Sequence, residues 1–170
     1  MRRRRGGYFR SAEGDPPPIL QVETHRVRFS EVDAMAIAWH GRYLQFFEMA
    51  AEELCRRVGL SYEAYREAGL RAPLAQVHVD FHRPVVLGER IAVEARLLWS
   101  DAARLDTEYR VFNAAGDLAA SGFSVQMLTD GDTGQPLLVA PPLLQRLRDR
   151  WRRGEFHNPL LRPSWSAAIC

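Results

Sequence analysis

Phe29-Ser30-Glu31-Val32-Asp33-Ala34-Met35-Ala36-Ile37-Ala38-Trp39-His40-Gly41-Arg42-Tyr43 is the stretch that decides how this chain folds. It opens at the end of a β-rich segment and carries two acids, Glu31 and Asp33. It then turns through Trp39, His40 and Gly41 into the only long segment with helical periodicity. An ionisable group just ahead of a helix start lies near unpaired backbone N–H groups and the positive end of the helix dipole. That setting suits a base or nucleophile with an oxyanion site beside it.

Beyond this stretch, from residue 41 to 58, Tyr43, Phe47, Ala50, Leu54 and Val58 recur at spacings of three and four, and Phe46, Met49 and Ala51 widen the stripe. So broad an apolar face predicts a largely buried helix. Gly59 stops it as the residue after the C-cap, and Ser61 caps a short second helix over 62–68 that ends at Gly69. On the other side, residues 19–29 read as a first strand. The remainder is strand-patterned. In 74–83, Val77, Val79 and Phe81 alternate with His78, Asp80 and His82 until Pro84 interrupts. Ile91 to Trp99 and Leu105 to Val111 alternate cleanly, and 118–130 reads as one final strand with Phe123, Val125 and Met127 on one face. A short helix over 143–150 offers Leu144 and Leu147 to a sheet edge.

Hairpin-length links between these strands imply an antiparallel sheet, and one long helix against one such sheet is an α+β layer architecture. A sheet wrapped round one helix leaves an edge open, for which pairing with another copy is the usual remedy. The 170 residues suffice for one domain with a real core. We expect a disordered, basic and Pro-rich leader over 1–18, a single domain over 19–151 and an irregular tail over 152–170. Arg2 to Arg5 and Arg10 carry five positive charges of a net +2, so the body is near neutral, which argues against a nucleic-acid-binding body. Two cysteines, Cys55 in the helix and Cys170 at the end, do not suggest a structural disulfide. No apolar run approaches the roughly 18 residues of a membrane span, and no apolar segment follows the arginines. A cytoplasmic protein with no membrane partner is the expectation.

The residues resemble the hotdog-fold acyl-CoA thioesterases, in the 4-hydroxybenzoyl-CoA thioesterase-like branch. The shared signature reads here as Phe29, Asp33, Ala36-Ile37-Ala38, Trp39, His40, Tyr43 and Phe46-Phe47-Glu48, in register. His78 to Phe81, Pro84, Leu87-Gly88-Glu89, Gly122 and Thr133-Gly134-Gln135-Pro136 are similar to later parts of the family pattern, over about residues 20–150. The resemblance implies a hotdog fold, an antiparallel five-stranded sheet wrapped around one long central helix. It implies hydrolysis of an acyl or aryl-acyl thioester to free acid and CoA by a homodimer or homotetramer, with no cofactor and no metal. A thioester on an acyl carrier protein and a non-catalytic acyl-thioester-binding module are the alternatives. A nucleic-acid role resting on the arginine leader ranks last.

Asp33 matches the family's catalytic carboxylate, able to attack the carbonyl or to deprotonate water. The backbone N–H groups of His40 and Gly41 are the oxyanion candidates. Ala36, Ile37, Trp39, Tyr43 and Glu48 are expected at the substrate, Glu48 as a partner for the loop or a second subunit. Arg83 and Arg104, near turns, are candidates for the CoA phosphates, and Glu31 reads as a solvated acid. His78, Asp80 and His82 share a strand face but lack a second ligand cluster. The family usually has Gly at position 36. Ala there is strained if the backbone needs positive φ, and otherwise narrows the pocket by a methyl group.

Overall fold

The structure, a computed structural model, describes residues 7–156. Arg2 to Arg5, Cys170 and the tail from residue 157 lie outside the described residues. In chain order the elements are β1 (Ile19–Arg26), α1 (Tyr43–Val58), α2 (Tyr62–Glu67), β2 (Leu70–Arg71), β3 (Leu74–Phe81), β4 (Arg90–Leu98), β5 (Arg104–Phe112), β6 (Leu118–Met127), β7 (Thr129–Asp130) and α3 (Pro142–Arg152). Two single 3₁₀ turns, Phe29–Glu31 and His40–Arg42, flank the loop ahead of α1.

Five strands form one antiparallel sheet in the order β1-β4-β5-β6-β3, and β2 pairs with β7 in a separate two-stranded ribbon. The main sheet curls around α1. Tyr43, Phe46, Phe47, Ala50, Leu54 and Val58 of α1 are buried against Ile91, Val93, Ala95, Leu97, Leu105, Tyr109 and Val111. These are the inward positions of the period-two pattern in β4 and β5, as the sequence predicts. Phe47 stacks on Tyr109 with centroids 4.4 Å apart and planes at 6°. Gly122 faces that pair. A side chain there would overlap the His78 carbonyl oxygen and lie 2.7 Å from Phe47 Cε2. Gly59 closes α1 with φ of 86°.

Three expectations are corrected, and the shared face of Phe123, Val125 and Met127 on β6 is as expected. The first strand ends at Arg26, and Phe29 begins a 3₁₀ turn. Residues 118–130 break into β6 and β7 at the buried Leu128, because Leu128 N donates to Ala103 O and the chain then leaves the main sheet for β2. On β6, Ala120, Gly122 and Ser124 face the helix, while Phe123 and Val125 point outward. The large helix-facing rings of Phe47 and Tyr109 leave room only for small residues opposite. Finally, part of the leader is ordered: Tyr8 and Phe9 pack on Phe123, each at 5.2 Å between centroids.

α3 closes one end of the wrap. Trp151 meets Trp99 edge-on at 5.4 Å, and Arg148 bonds Ala102 O at 2.6 Å. The opposite end stays open around the loop ahead of α1. No described helix is long and apolar enough to cross a membrane.

Candidate active site

The loop between β1 and α1 is held by its own backbone and by residues 85–89. Val32 bridges Ala38, and Ile37 bridges Val86. Ala38 N donates to Val85 O (2.8 Å) and Leu87 N to Ala36 O (3.0 Å). Trp39 N returns to Glu31 O at 2.9 Å. Residues 85–89 were not read as part of the site, although Pro84 and the turn at Gly88, φ 77°, signal a short segment leaving the strand. Glu89 fastens it by accepting from Val86 N (2.9 Å) and Ala114 N (3.0 Å).

Asp33 sits at the head of this loop, half-buried. Its N–H donates to Ile37 O (2.8 Å), and its Oδ1 accepts from Met35 N (2.9 Å) and Ile37 N (3.2 Å). One carboxylate oxygen is thereby fixed by two backbone donors. Oδ2 has no protein partner among the described residues. Ala36, at the tip, has φ of 60°, the only positive φ at a described non-glycine residue. The position normally given to Gly does demand the left-handed conformation, so Ala36 is strained.

Past Trp39 the chain enters the 3₁₀ turn His40–Arg42 and then α1, with no side-chain cap. At a helix start the first N–H groups have no acceptor within the helix, so the His40 and Gly41 N–H groups are available. A side chain on Gly41 would collide with the Trp39 ring, its Cβ 2.6 Å from Cη2, so glycine lets the indole lie against the helix start. Trp39 and His40 rings are 4.9 Å apart. Arg42 reaches back to Ser30 O at 3.0 Å and ties the two 3₁₀ turns together.

Glu31 is a correction. It is not a solvated acid. His25 Nε2 lies 2.8 Å and 3.0 Å from its two carboxylate oxygens, and Arg28 N donates to Oε2 at 2.7 Å. Burial pushes its pKa up, but the Arg28 N–H and His25 outweigh that and hold the carboxyl below its ordinary value. Its work is to anchor the loop to β1. His25 gave no local signal for this, because the contact needs the strand and the 3₁₀ turn to be folded together.

The remaining candidates divide. Ile37 and Trp39 stay on the loop, and Trp39 is half exposed. Tyr43 is buried, its ring edge-on to Phe81 at 5.0 Å and to Phe46 at 5.5 Å; burial and then the charge of Glu89 raise its pKa. Glu48 is not joined to the loop. It accepts from Tyr62 O–H at 2.9 Å, which with the Glu48 charge and burial pushes the Tyr62 hydroxyl up to about 12. Arg83 lies at the same end of the sheet as the loop, exposed and 3.6 Å from Asp117. Arg104 does not. It starts β5 beside the turn that α3 covers, at the far end of the strands, and is committed to Asp106 at 2.9 Å. Strand direction thus places Arg104 away from this loop within one copy of the chain. His78, Asp80 and His82 face outward, away from α1, and engage each other, Tyr8 and Ser121. Cys55 is half-buried in α1 and its thiol is pushed up to about 12, chiefly by desolvation.

A strand-loop-helix site on a helix-filled antiparallel sheet defines a class, and sequence comparison agrees with it. The chain belongs to the thioesterase-like superfamily, whose family model matches residues 27–147. Its expected standing as a thioester hydrolase is met at the level of that family. It is 23% identical over 130 residues to the 1,4-dihydroxy-2-naphthoyl-CoA hydrolase of Thermosynechococcus vestitus, covering 76% of this chain and 88% of that one. The DHNA-CoA thioesterase of Staphylococcus aureus superposes with a TM-score of 0.67 at 24% identity, over 80% of this chain and 88% of that one. A second Staphylococcus aureus protein, solved in complex with CoA, superposes with a TM-score of 0.71 at 15% identity, over 84% and 89%. At these identities the two structures speak for the hotdog fold.

Proposed function

We propose that the protein hydrolyses acyl-CoA thioesters, with Asp33 as the reacting carboxylate and the His40 and Gly41 N–H groups as the oxyanion site. The observation that carries this is Asp33 itself: two loop N–H groups hold Oδ1, and Oδ2 is left free on the loop that leads into an uncapped helix start. Either Oδ2 takes a proton from a water that attacks the thioester carbon, or it attacks that carbon and water then releases the acid. Both routes place negative charge on the carbonyl oxygen, which backbone donors at a helix start stabilise, and both expel the CoA thiolate. A thiolate, from a thiol of pKa near 8.5, is a good leaving group, so no further acid is essential. A relative found by sequence is named for a CoA compound, as a 1,4-dihydroxy-2-naphthoyl-CoA hydrolase, which supports CoA as the acyl donor. One fold neighbour is named an acyl-ACP thioesterase and keeps the carrier protein as the alternative.

The proposed working form is a homodimer. β3 is an edge strand with no partner on its outer side among the described residues, and its Leu74, Val77 and Phe81 are 56%, 41% and 55% exposed. Met35, Trp39, Val86 and Leu87 add exposed apolar surface at the open end. An unpaired apolar edge calls for a second copy.

The test is thiol release from a panel of aromatic and aliphatic acyl-CoA compounds by the wild type and Asp33→Asn. Loss of a general base or nucleophile should lower turnover by about 10²–10⁴-fold with the fold intact. Turnover of Asp33→Asn within a factor of two of wild type would remove Asp33 from the reaction.

A further inference from the structure

The family match begins at residue 27, yet the chain ahead of it is built onto the sheet. Residues 7–18 cross the outer face and are fastened at both ends. At one end, Trp151 Nε1 donates to Pro17 O at 2.8 Å. At the other, Tyr8 O–H donates to Asp80 Oδ2 at 2.6 Å and lies 2.8 Å from Ser121 Oγ. Because the one phenolic proton goes to Asp80, Ser121 must donate to the Tyr8 oxygen. Ser121 Oγ is then free to accept from His82 Nε2, 2.8 Å away. His78 Nε2 completes the clamp 3.0 Å from Asp80 Oδ1. The clamp therefore ties the leader to β3 through Asp80 and His82, and to β6 through Ser121.

The backbone is seated as closely. Phe9 N donates to Glu108 Oε1 at 3.3 Å, and Tyr8 N to the same oxygen. Glu108 is buried on β5, with Arg96 at 3.6 Å as its charged partner. A side chain on Gly7 would overlap the Glu108 carboxylate, so glycine permits the approach. Asp80 is held below its ordinary pKa, first by the Tyr8 hydroxyl, and Tyr8 is pushed up to about 12 by burial and by Asp80. Asp80 and Tyr8 therefore keep their charge states across neutral pH.

β3 has two faces with different duties. Outward, His78, Asp80 and His82 hold the leader. Inward, Phe81 meets the ring of Tyr43, the first residue of α1, next to the proposed oxyanion donors. We propose that residues 7–18 are a strap belonging to the working enzyme, with Tyr8 as a positioning residue that clamps β3 and, through Phe81 and Tyr43, fixes the start of α1. The catalytic half of this rests on the thioesterase reading above. The clamping half does not.

The test compares the full chain with Tyr8→Phe, which deletes only the hydroxyl, and Tyr8→Ala. Amide hydrogen exchange of the free protein reads the clamp. Exchange in 74–81 should accelerate by roughly three- to tenfold in Tyr8→Phe, as expected for local opening, while β4 is unchanged. Hydrolysis of acyl-CoA reads the coupling. Because small misplacements near a reacting centre are amplified, kcat should fall roughly three- to tenfold with KM nearly constant, and further in Tyr8→Ala. Unchanged exchange in β3 overturns the proposal. Faster exchange with wild-type kcat overturns Tyr8 as a positioning residue and leaves a purely structural strap. A wild type that opens no acyl-CoA overturns the thioesterase reading, and exchange then decides the clamp alone.

Discussion

Replacing Ala36 by glycine should stabilise this protein. Ala36 has φ of 60°, in the left-handed region, where its Cβ crowds the following carbonyl. For an L-residue that conformation costs roughly 1–2 kcal/mol. Glycine removes the clash but loses more backbone freedom on folding, about 0.5–1 kcal/mol. The side chain is exposed, so no core packing changes. The balance favours glycine by about 0.5–1 kcal/mol, or about 1–4 °C in Tm for a chain of this size. Urea unfolding at equilibrium, with m unchanged and the midpoint raised, is the measurement. Ala36→Val provides the opposite arm. A β-branched residue is more strained at positive φ and should destabilise by about 1 kcal/mol or more. The reasoning fails if Ala36→Gly is equal to or less stable than wild type, since strain at the loop tip would then be absent. Because Ala36 O also accepts from Leu87 N, the same swap relaxes a turn joined to Asp33. A stabilised variant with reduced turnover would show that the stiffness alanine gives the tip serves the site.

Two further perturbations test the frame and the loop. Gly122→Ala should destabilise by about 2–3 kcal/mol, because its Cβ meets the His78 carbonyl and the Phe47 ring, neither of which can retreat freely; a midpoint within experimental error of wild type refutes the packing described for β6. Glu31 has a lowered pKa in the fold, so its contribution is present above the unfolded value of about 4.3 and is lost as pH falls through the lowered folded value. The stability gap between wild type and Glu31→Gln should therefore be present above about pH 5 and close on further acidification; a gap as wide at about pH 3 as at neutrality contradicts the anchoring role.

How much of this was legible in the chain depends on the range of each contact. β4 and β5 alternate cleanly because one face meets a helix, and those faces read correctly. β6 alternates as well, but with the sizes reversed. Its large residues, Phe123 and Val125, face outward, and the inward side carries Ala120, Gly122 and Ser124 because α1 and β5 already supply large rings. Size on a strand marks the core only when the opposite layer has room. The loop was legible in part: the turn into α1 follows from local spacing, whereas Asp33 and position 36 are marked by the family resemblance. Glu31 and His25 were not legible, because the pair closes only after β1 and the 3₁₀ turn have formed. Composition read the leader as disordered, whereas Tyr8 finds its partners 72 and 113 residues further along. Nothing local announces such contacts. Arg104 read as a turn cation, and strand polarity, invisible to spacing, sends it to the other end.

The two ends of the wrap explain why the open one is where chemistry belongs. At the closed end α3 brings Trp151 against Trp99, and its Arg148 satisfies the Ser100 and Ala102 carbonyls. Arg148 there is spent within the fold. At the open end the loop backbone is tied down, through Ala38 to Val85 and Leu87 to Ala36, while the His40 and Gly41 N–H groups and the side chains are left over. Phe29 and Met35 are 83% and 75% exposed, and Trp39, Phe81, Val86 and Leu87 stand out beside them. A loop rigid in its backbone and apolar on its outer side is costly in water unless something covers it. An acyl group and the proposed second copy of the chain would both lie on these side chains, next to Asp33. Covering them would also dry the site, and in a drier site the backbone donors at His40 and Gly41 act on a developing oxyanion with greater effect. The exposed apolar residues and the free carboxylate oxygen are thus two parts of one arrangement, which neither a folded monomer's stability nor loop architecture alone accounts for.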